Sequence, residues 1–378
     1  MITAKDLIEP RETGPATQTV TPPKRRVTRR RLLSAGVSVV LLGAIFYFVA
    51  PSLPDFSTVR GHITAMSGIE LGLLALFAAW NLVTYWLVMV AATPGLKYRQ
   101  AMVATQSSTA VANTLPGGSA ISVGLSYAMF SSWGFSKSRT TVSLVVAGIW
   151  NNFVKLGMPV LALALLAFSG EASGSRVLAG SIGIAALVAS VAVFAYILHS
   201  EDFAQRAGIR AGRMAGPVRR VLHKGPAEGW DVATLRFRNR IIGIVRHAWI
   251  RLTLTSLVGH FSLFLVLIVT LRDIGVSNDE VSWVQALAVF AFVRLLTAVP
   301  LMPGGLGIVE LGLIGGLTTA GGDKAEVVAA VLVYRTLTYV VPIAFGIVTY
   351  LFWKRNTSWL NTAPPLDPAL ASPPPIAA

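Results

Sequence analysis

The sequence predicts an all-α fold, a polytopic membrane helix bundle of six full spans plus two re-entrant hairpins arranged as an inverted repeat. Three observations lead there. Apolar runs of about 20 residues recur, each long enough for a hydrocarbon core about 30 Å thick. Two further apolar runs are broken by Pro-Gly-Gly, and Lys and Arg gather in alternate loops. Of 378 residues 54% are hydrophobic and 13% charged, against about 25% charged in soluble domains, which excludes a water-soluble globule. A net charge of +15 would suggest nucleic acid if it were spread over a folded surface. Here the cations lie between apolar stretches and set topology instead, so no nucleic-acid partner is expected. With no cysteine, disulfides, Cys-ligated zinc and thiol catalysis are excluded.

Residues 1–31 mix Pro, Thr and Gly with a basic cluster from Lys24 to Arg31 and have no apolar run to bury, as in a disordered cytoplasmic tail. The run from Thr28 to Leu33 resembles a twin-arginine export signal. The apolar stretch Leu32 to Ala50 is too long for a cleaved core, so a retained first helix is expected. The other full spans fall near Gly68–Ala92, Thr140–Phe168, Val177–His199, Ile250–Leu271 and Val327–Trp353. The segments Ala101–Trp133 and Val281–Ala320 are interrupted by Leu115-Pro116-Gly117-Gly118 and Met302-Pro303-Gly304-Gly305. Proline removes a donor and glycine frees the backbone, so each helix should stop there.

The positive-inside rule decides whether the broken segments cross or turn back. If both turn back, 25 Lys and Arg lie on the cytoplasmic side and four, Arg60, Arg176, Arg272 and Lys324, lie outside. A single crossing by either segment would spoil that bias. Two re-entrant hairpins follow, the first entering from the cytoplasm and the second from outside, with both termini cytoplasmic. Residues 68–168 and 250–353 then form repeat halves of opposite orientation within a membrane domain, 32–353. A basic cytoplasmic connector, 200–250, joins them, and a Pro-rich disordered tail, 354–378, follows. Interrupted apolar segments at matching positions point to a transporter's midplane site. In the connector, Arg236, Arg238 and Arg240 beside Phe237, Ile241, Ile242 and Ile244 suggest an interfacial helix held by anionic lipid, or ordinary topology determinants.

Four ionisable residues fall within the membrane segments: Lys155, Arg294, Glu310 and Arg335. Such charges are costly in hydrocarbon and should face the interior with a partner. Three cations against one carboxylate leave two unmatched. An anionic headgroup such as a phosphodiester would neutralise them, and Arg would offer it a bidentate fork; snorkelling or backbone carbonyls are the alternative. Glu310 should pair with Arg335 or Arg294 and fix the hairpin's depth, with a part in proton coupling as the alternative. The tips, Asn113 to Gly118 with Pro116 and Gly117, and Pro300 to Gly307 with Pro303, Gly304 and Gly305, either turn backbone amides toward a phosphate or are purely structural turns. Asn151 and Asn152 can hydrogen-bond across helices or to a headgroup. His260 in the span at 250 fits packing better than ligation. No H-E-x-x-H, facing carboxylate pair or P-loop occurs, so no metal, other cofactor or ATP chemistry is expected.

The block Val299-Pro300-Leu301-Met302-Pro303-Gly304-Gly305-Leu306-Gly307-Ile308-Val309-Glu310, with Val333-Tyr334-Arg335-Thr336-Leu337-Thr338-Tyr339 and Pro342, resembles the C-terminal signature of the flippase-like membrane region of lysylphosphatidylglycerol synthases and its stand-alone relatives. Asn113-Thr114-Leu115-Pro116-Gly117-Gly118 is similar to the family's earlier Asn, Pro and Gly element. The resemblance covers roughly residues 32–353. The family usually has Gly-Glu and an Arg after the first hairpin and a Glu-Arg pair in the next helix. This chain has Ser119-Ala120 and then Asn151, Asn152 and Lys155, so its headgroup chemistry should differ. About 25 residues follow the last span, so no synthase domain and no aminoacyl-lipid synthesis are expected.

What the resemblance implies is a bacterial plasma-membrane protein that moves or handles an anionic phospholipid or polyprenyl-linked lipid between leaflets, with envelope-biosynthesis proteins as further partners. Oligomeric state is open. Two other classes compete, a membrane enzyme acting on a lipid-linked substrate, which wants a carboxylate or His cluster, and a non-transporting scaffold built on the connector and tail.

Overall fold

The computed structural model describes residue 61 and residues 64–364, except 116, 169–173, 204, 207–208, 211–229 and 298–302. The expected first span and much of the connector lie outside these residues. Among the described residues every regular element is helical: α1 Gly68–Ala92, α2 Tyr98–Thr114, α3 Gly118–Ser132, α4 Lys137–Phe168, α5 Gly174–His199, α6 Trp230–Ile274, α7 Trp283–Leu296, α8 Ile308–Thr319, α9 Lys324–Arg335 and α10 Val341–Arg355. A π turn, Thr336–Val340, joins α9 to α10. Four described helices are long and apolar enough to cross a membrane: α1, α4, residues 234–274 of α6, and Lys324–Arg355 taken as one.

Helix starts carry the expected chemistry. Ser67 and Glu70 form a capping box on α1, Ser282 and Gln285 one on α7, and the Asp323 carboxylate accepts from the Ala325 and Glu326 amides. Apolar side chains such as Ile69 and Leu76 of α1 and Ile347 and Val348 of α10 stand exposed, while Gln100, Gln106, Asn81 and Lys155 are buried. The interior is still mainly apolar, but apolar side chains left exposed and polar ones drawn inside are what a hydrocarbon solvent selects.

The two interrupted segments each fold into a pair of arms. α2 and α3 lie against each other, with Ser108 and Ser126 joined by a 2.8 Å hydrogen bond. Gly118 permits the close turn, because a Cβ there would meet the Val111 and Ala112 carbonyls. α7 and α8 also pack together, with Gly312 and Gly316 of α8 seated on Val293 and Val289 of α7. The open ends of these pairs point to different ends of the bundle. The base of α2/α3 meets the end of α10, where Trp353 donates to the Ser132 hydroxyl at 3.0 Å. The base of α7/α8 meets the α6–α9 end, where Gly321 abuts the Glu280 carbonyl and Gly275 the Glu326 carboxylate.

Three boundaries differ from the sequence reading. The span placed at 250–271 belongs to a helix that already starts at Trp230. Its Ile241 and Ile244 are buried against Val142, Val146 and Trp150 of α4, so this face is covered by protein and does not lie on lipid. Arg238, 3% exposed, bonds to Glu201 at 2.9 Å and to the His199 carbonyl at 2.9 Å. The second difference is that residues 356–364, read as the start of a disordered tail, strap the first pair's base. The Asn361 and Ala363 amides donate to the Ser132 and Trp133 carbonyls, and the Arg139 guanidinium bonds to the Pro364 and Pro94 carbonyls. Thirdly, the last span is interrupted by the π turn just before Pro342. That proline has no N–H to give the preceding turn, and the widened turn accommodates the loss.

Candidate functional site

Both chain breaks end at one place. The Tyr339 hydroxyl, in the π turn, donates to the Asn113 carbonyl at the first tip at 2.7 Å. Gly304 of the second tip sits so close that a Cβ there would collide with the Tyr339 ring and stand 2.8 Å from the Asn113 Oδ1. With φ +57° at Gly304 and +70° at Gly305, this approach needs glycine twice over, for conformation and for space.

A cavity of about 310 Å3 opens beside the meeting point. Lys155 from α4, Arg294 from α7 and Arg335 from α9 all line it, although they are far apart in the chain. Asn113, Gly304 and Gly305 line it as well. Glu310 stands behind Arg335: its Oε1 accepts from the Arg335 Nε at 2.6 Å and its Oε2 from the Gly307 amide at 2.7 Å. Of the two partners the sequence allowed, it therefore takes Arg335. The Arg335 guanidinium also lies 4.5 Å from the centre of the Tyr339 ring, a cation–π contact. Among the described residues, Lys155 and Arg294 have no carboxylate partner, and the buried Arg294 Nε has no hydrogen-bond acceptor.

The remaining expected site residues fall elsewhere. Asn151 and Asn152 do not line the cavity, and Asn152 is exposed. They precede Lys155 by about one helical turn, some 5 Å toward the start of α4. Gly117, at φ +66°, and Gly118 shape the first turn without lining the space. The notion of tip amides aimed at a phosphate also meets a competitor. The Gly118 amide is spent on the Leu115 carbonyl at 2.7 Å and the Gly307 amide on Glu310. Pro116 lies outside the described residues, and Pro303 opens a short 3-10 turn, Pro303–Gly305. His260 is buried, its Nδ1 3.0 Å from the Ser256 carbonyl, and does not line the cavity.

Beyond Asn113, the sequence reading does not single out the neutral polar groups around the cavity. Thr105, Gln106, Thr109 and Asn113 of α2 line the cavity together with Asn81 and Tyr85 of α1, and Tyr334, Thr338 and Tyr339 close it. Their signal was present, since residues 105, 106, 109 and 113 share one helical face. Apart from Asn113 they escape the sequence reading, because an uncharged residue in an apolar run carries no large cost that marks it out. No group of three His, Asp or Glu able to hold a metal occurs among the described residues.

The sequence profile of the lysylphosphatidylglycerol synthase TM region matches residues 32–346. A UPF0104 membrane protein of Methanocaldococcus jannaschii is 39% identical over 62 residues, 16% of this chain. The match spans 26% of that protein's length. The chain thus belongs to the lysylphosphatidylglycerol synthase TM region family and is a multi-pass membrane protein.

Proposed function

We propose that this family member is a flippase-like protein that carries or handles an anionic lipid headgroup between leaflets through the cavity at the two tips. One observation carries the reading. Three cations line a space among apolar helices and, among the described residues, the one carboxylate paired with any of them is Glu310, already committed to Arg335, leaving two positive charges for a ligand to neutralise. Unpaired charge in a low-dielectric interior is retained where a counter-charge visits, and a lipid phosphate is the anion a bilayer supplies.

The arm pairs support it further. In this reading α2/α3 is a re-entrant hairpin from the cytoplasmic side and α7/α8 one from outside, the halves 68–168 and 250–353 forming an inverted repeat in a bacterial plasma membrane with cytoplasmic termini. Their bases at different ends of the bundle and their tips in contact suit alternating access around a central site. Irregular backbone at that depth is tolerated where it lines a wet cavity.

The test is leaflet exchange in reconstituted vesicles. Fluorescent phosphatidylglycerol should equilibrate faster than in protein-free vesicles. Replacing Lys155 and Arg294 by Gln should slow it about tenfold or more, as loss of a charge-assisted hydrogen bond implies. Exchange no faster than in empty vesicles, for both phosphatidylglycerol and a polyprenyl phosphate, defeats the reading.

A further inference from the structure

Charge accounts for only part of the cavity. Its cations come from α4, α7 and α9, whereas α1 and α2 present amides and hydroxyls: Asn81, Thr105, Gln106, Thr109 and Asn113. Several of these groups are unmet. Gln106 is 2% exposed and its Oε1 has no partner, the buried Thr105 hydroxyl has none, and the Arg294 Nε–H lacks an acceptor. Buried polar atoms are nearly always paired, so unpaired ones on three side chains that line one cavity favour a ligand that both donates and accepts. A hydroxyl does both.

The same lining argues against other headgroups. An ammonium would need a carboxylate, and Glu310 is held by Arg335 and the Gly307 amide and does not line the space. A choline-type head brings a positive charge and no donor for Gln106. The volume, about 310 Å3, lies near the lower end of the roughly 300–1,000 Å3 usual for small-molecule pockets. It suits a phosphate with a glycerol-, inositol- or monosaccharide-sized head and leaves acyl chains outside.

We infer that the cavity selects a polyhydroxylated phosphate headgroup, with Lys155 and Arg294 on the phosphate and the α2 row on the hydroxyls, and rejects aminoacylated and choline-type heads. This rests on the proposed function only in taking the ligand to be a lipid.

Native mass spectrometry of the full chain reads binding without requiring transport. Phosphatidylinositol and phosphatidylglycerol should be retained about fivefold or more over phosphatidic acid, the worth of one neutral hydrogen bond. They should also exceed phosphatidylcholine and an aminoacylated phosphatidylglycerol. Gln106→Leu, and separately Thr109→Val, should bring the inositol-to-phosphatidic-acid ratio toward one, whereas a folding defect would lower all lipids together. Equal retention of phosphatidic acid, phosphatidylcholine or the aminoacylated lipid overturns the inference, as does a ratio unmoved by both variants. Selective binding without leaflet exchange would remove translocation and keep this selectivity; exchange without hydroxyl preference would do the reverse.

Discussion

The two arm pairs are alike in shape and opposite in content. Beyond Arg99 in its first turn, α2 of the α2/α3 pair carries uncharged polar groups, joined to α3 at Ser108–Ser126, and the pair's base is strapped by residues 356–364. α7/α8 is nearly all apolar, packed glycine to valine, and its ionisable residues are Arg294 and Glu310. One pair therefore offers the cavity neutral hydrogen bonds and the other offers charge. The difference teaches that similar backbones can divide the lining of one cavity, one half supplying neutral polar groups and the other a charge. It also separates their vulnerabilities. The charged pair depends on a single ion pair, whereas the neutral pair depends on many small contacts, each of minor weight.

That contrast is broken most severely at Glu310. Glu310→Ala leaves Arg335 uncompensated and the Gly307 amide uncapped, and should cost about 3 kcal/mol, near the low end for losing one partner of a buried pair because both side chains keep some exposure. A lowered unfolding midpoint with faster hydrogen exchange confined to residues 303–312 checks it. A loss no larger than that of Thr109→Val in α2 would show that the pairs are equally robust.

The tips sharpen the comparison at intermediate size. Gly117 and Gly304 share left-handed φ values, +66° and +57°, but a Cβ meets nothing within 4 Å at Gly117 and meets Tyr339 and Asn113 at Gly304. Gly117→Ala should cost about 1 kcal/mol, from conformation alone. Gly304→Ala should cost about 2–3 kcal/mol, since displaced neighbours add to the strain. Equal losses in chemical unfolding would place the contact between the tips in doubt.

The smallest effect belongs to the hydrogen bond that links them. Tyr339→Phe removes the donor to the Asn113 carbonyl and should cost about 1 kcal/mol. Hydrogen exchange should quicken at residues 111–115 and hardly change at 308–312. Uniform quickening of both would mean that the hydroxyl supports the whole site rather than the junction.

Much of this was legible in the chain. Pro and Gly at 116–118 and 303–305 mark the interruptions because a proline followed by two glycines removes a helix donor and frees the backbone at one point. Lys155, Arg294, Glu310 and Arg335 stand out because charge in an apolar run has a cost that composition reveals at once. Less legible was the run from Trp230 to Arg251, whose cations suggested a helix lying on lipid. Its isoleucines prefer α4, a choice that depends on which surface is nearby and not on their own hydrophobicity. The 356–364 strap was hidden for a similar reason, since Asn361 and Ala363 find carbonyl partners that only folding brings within reach.

By itself the sequence determined that this is a helical membrane protein, where its helices break and which charges need company, because these follow from residue type and spacing along one chain. Only the tertiary structure decided that Glu310 takes Arg335 over Arg294, that Asn151 and Asn152 miss the cavity, and that the neutral row of α2 faces it. The Tyr339–Asn113 bond spans 226 positions. Local rules carry no information over that separation, so close packing and the need to satisfy each buried polar group make the choice.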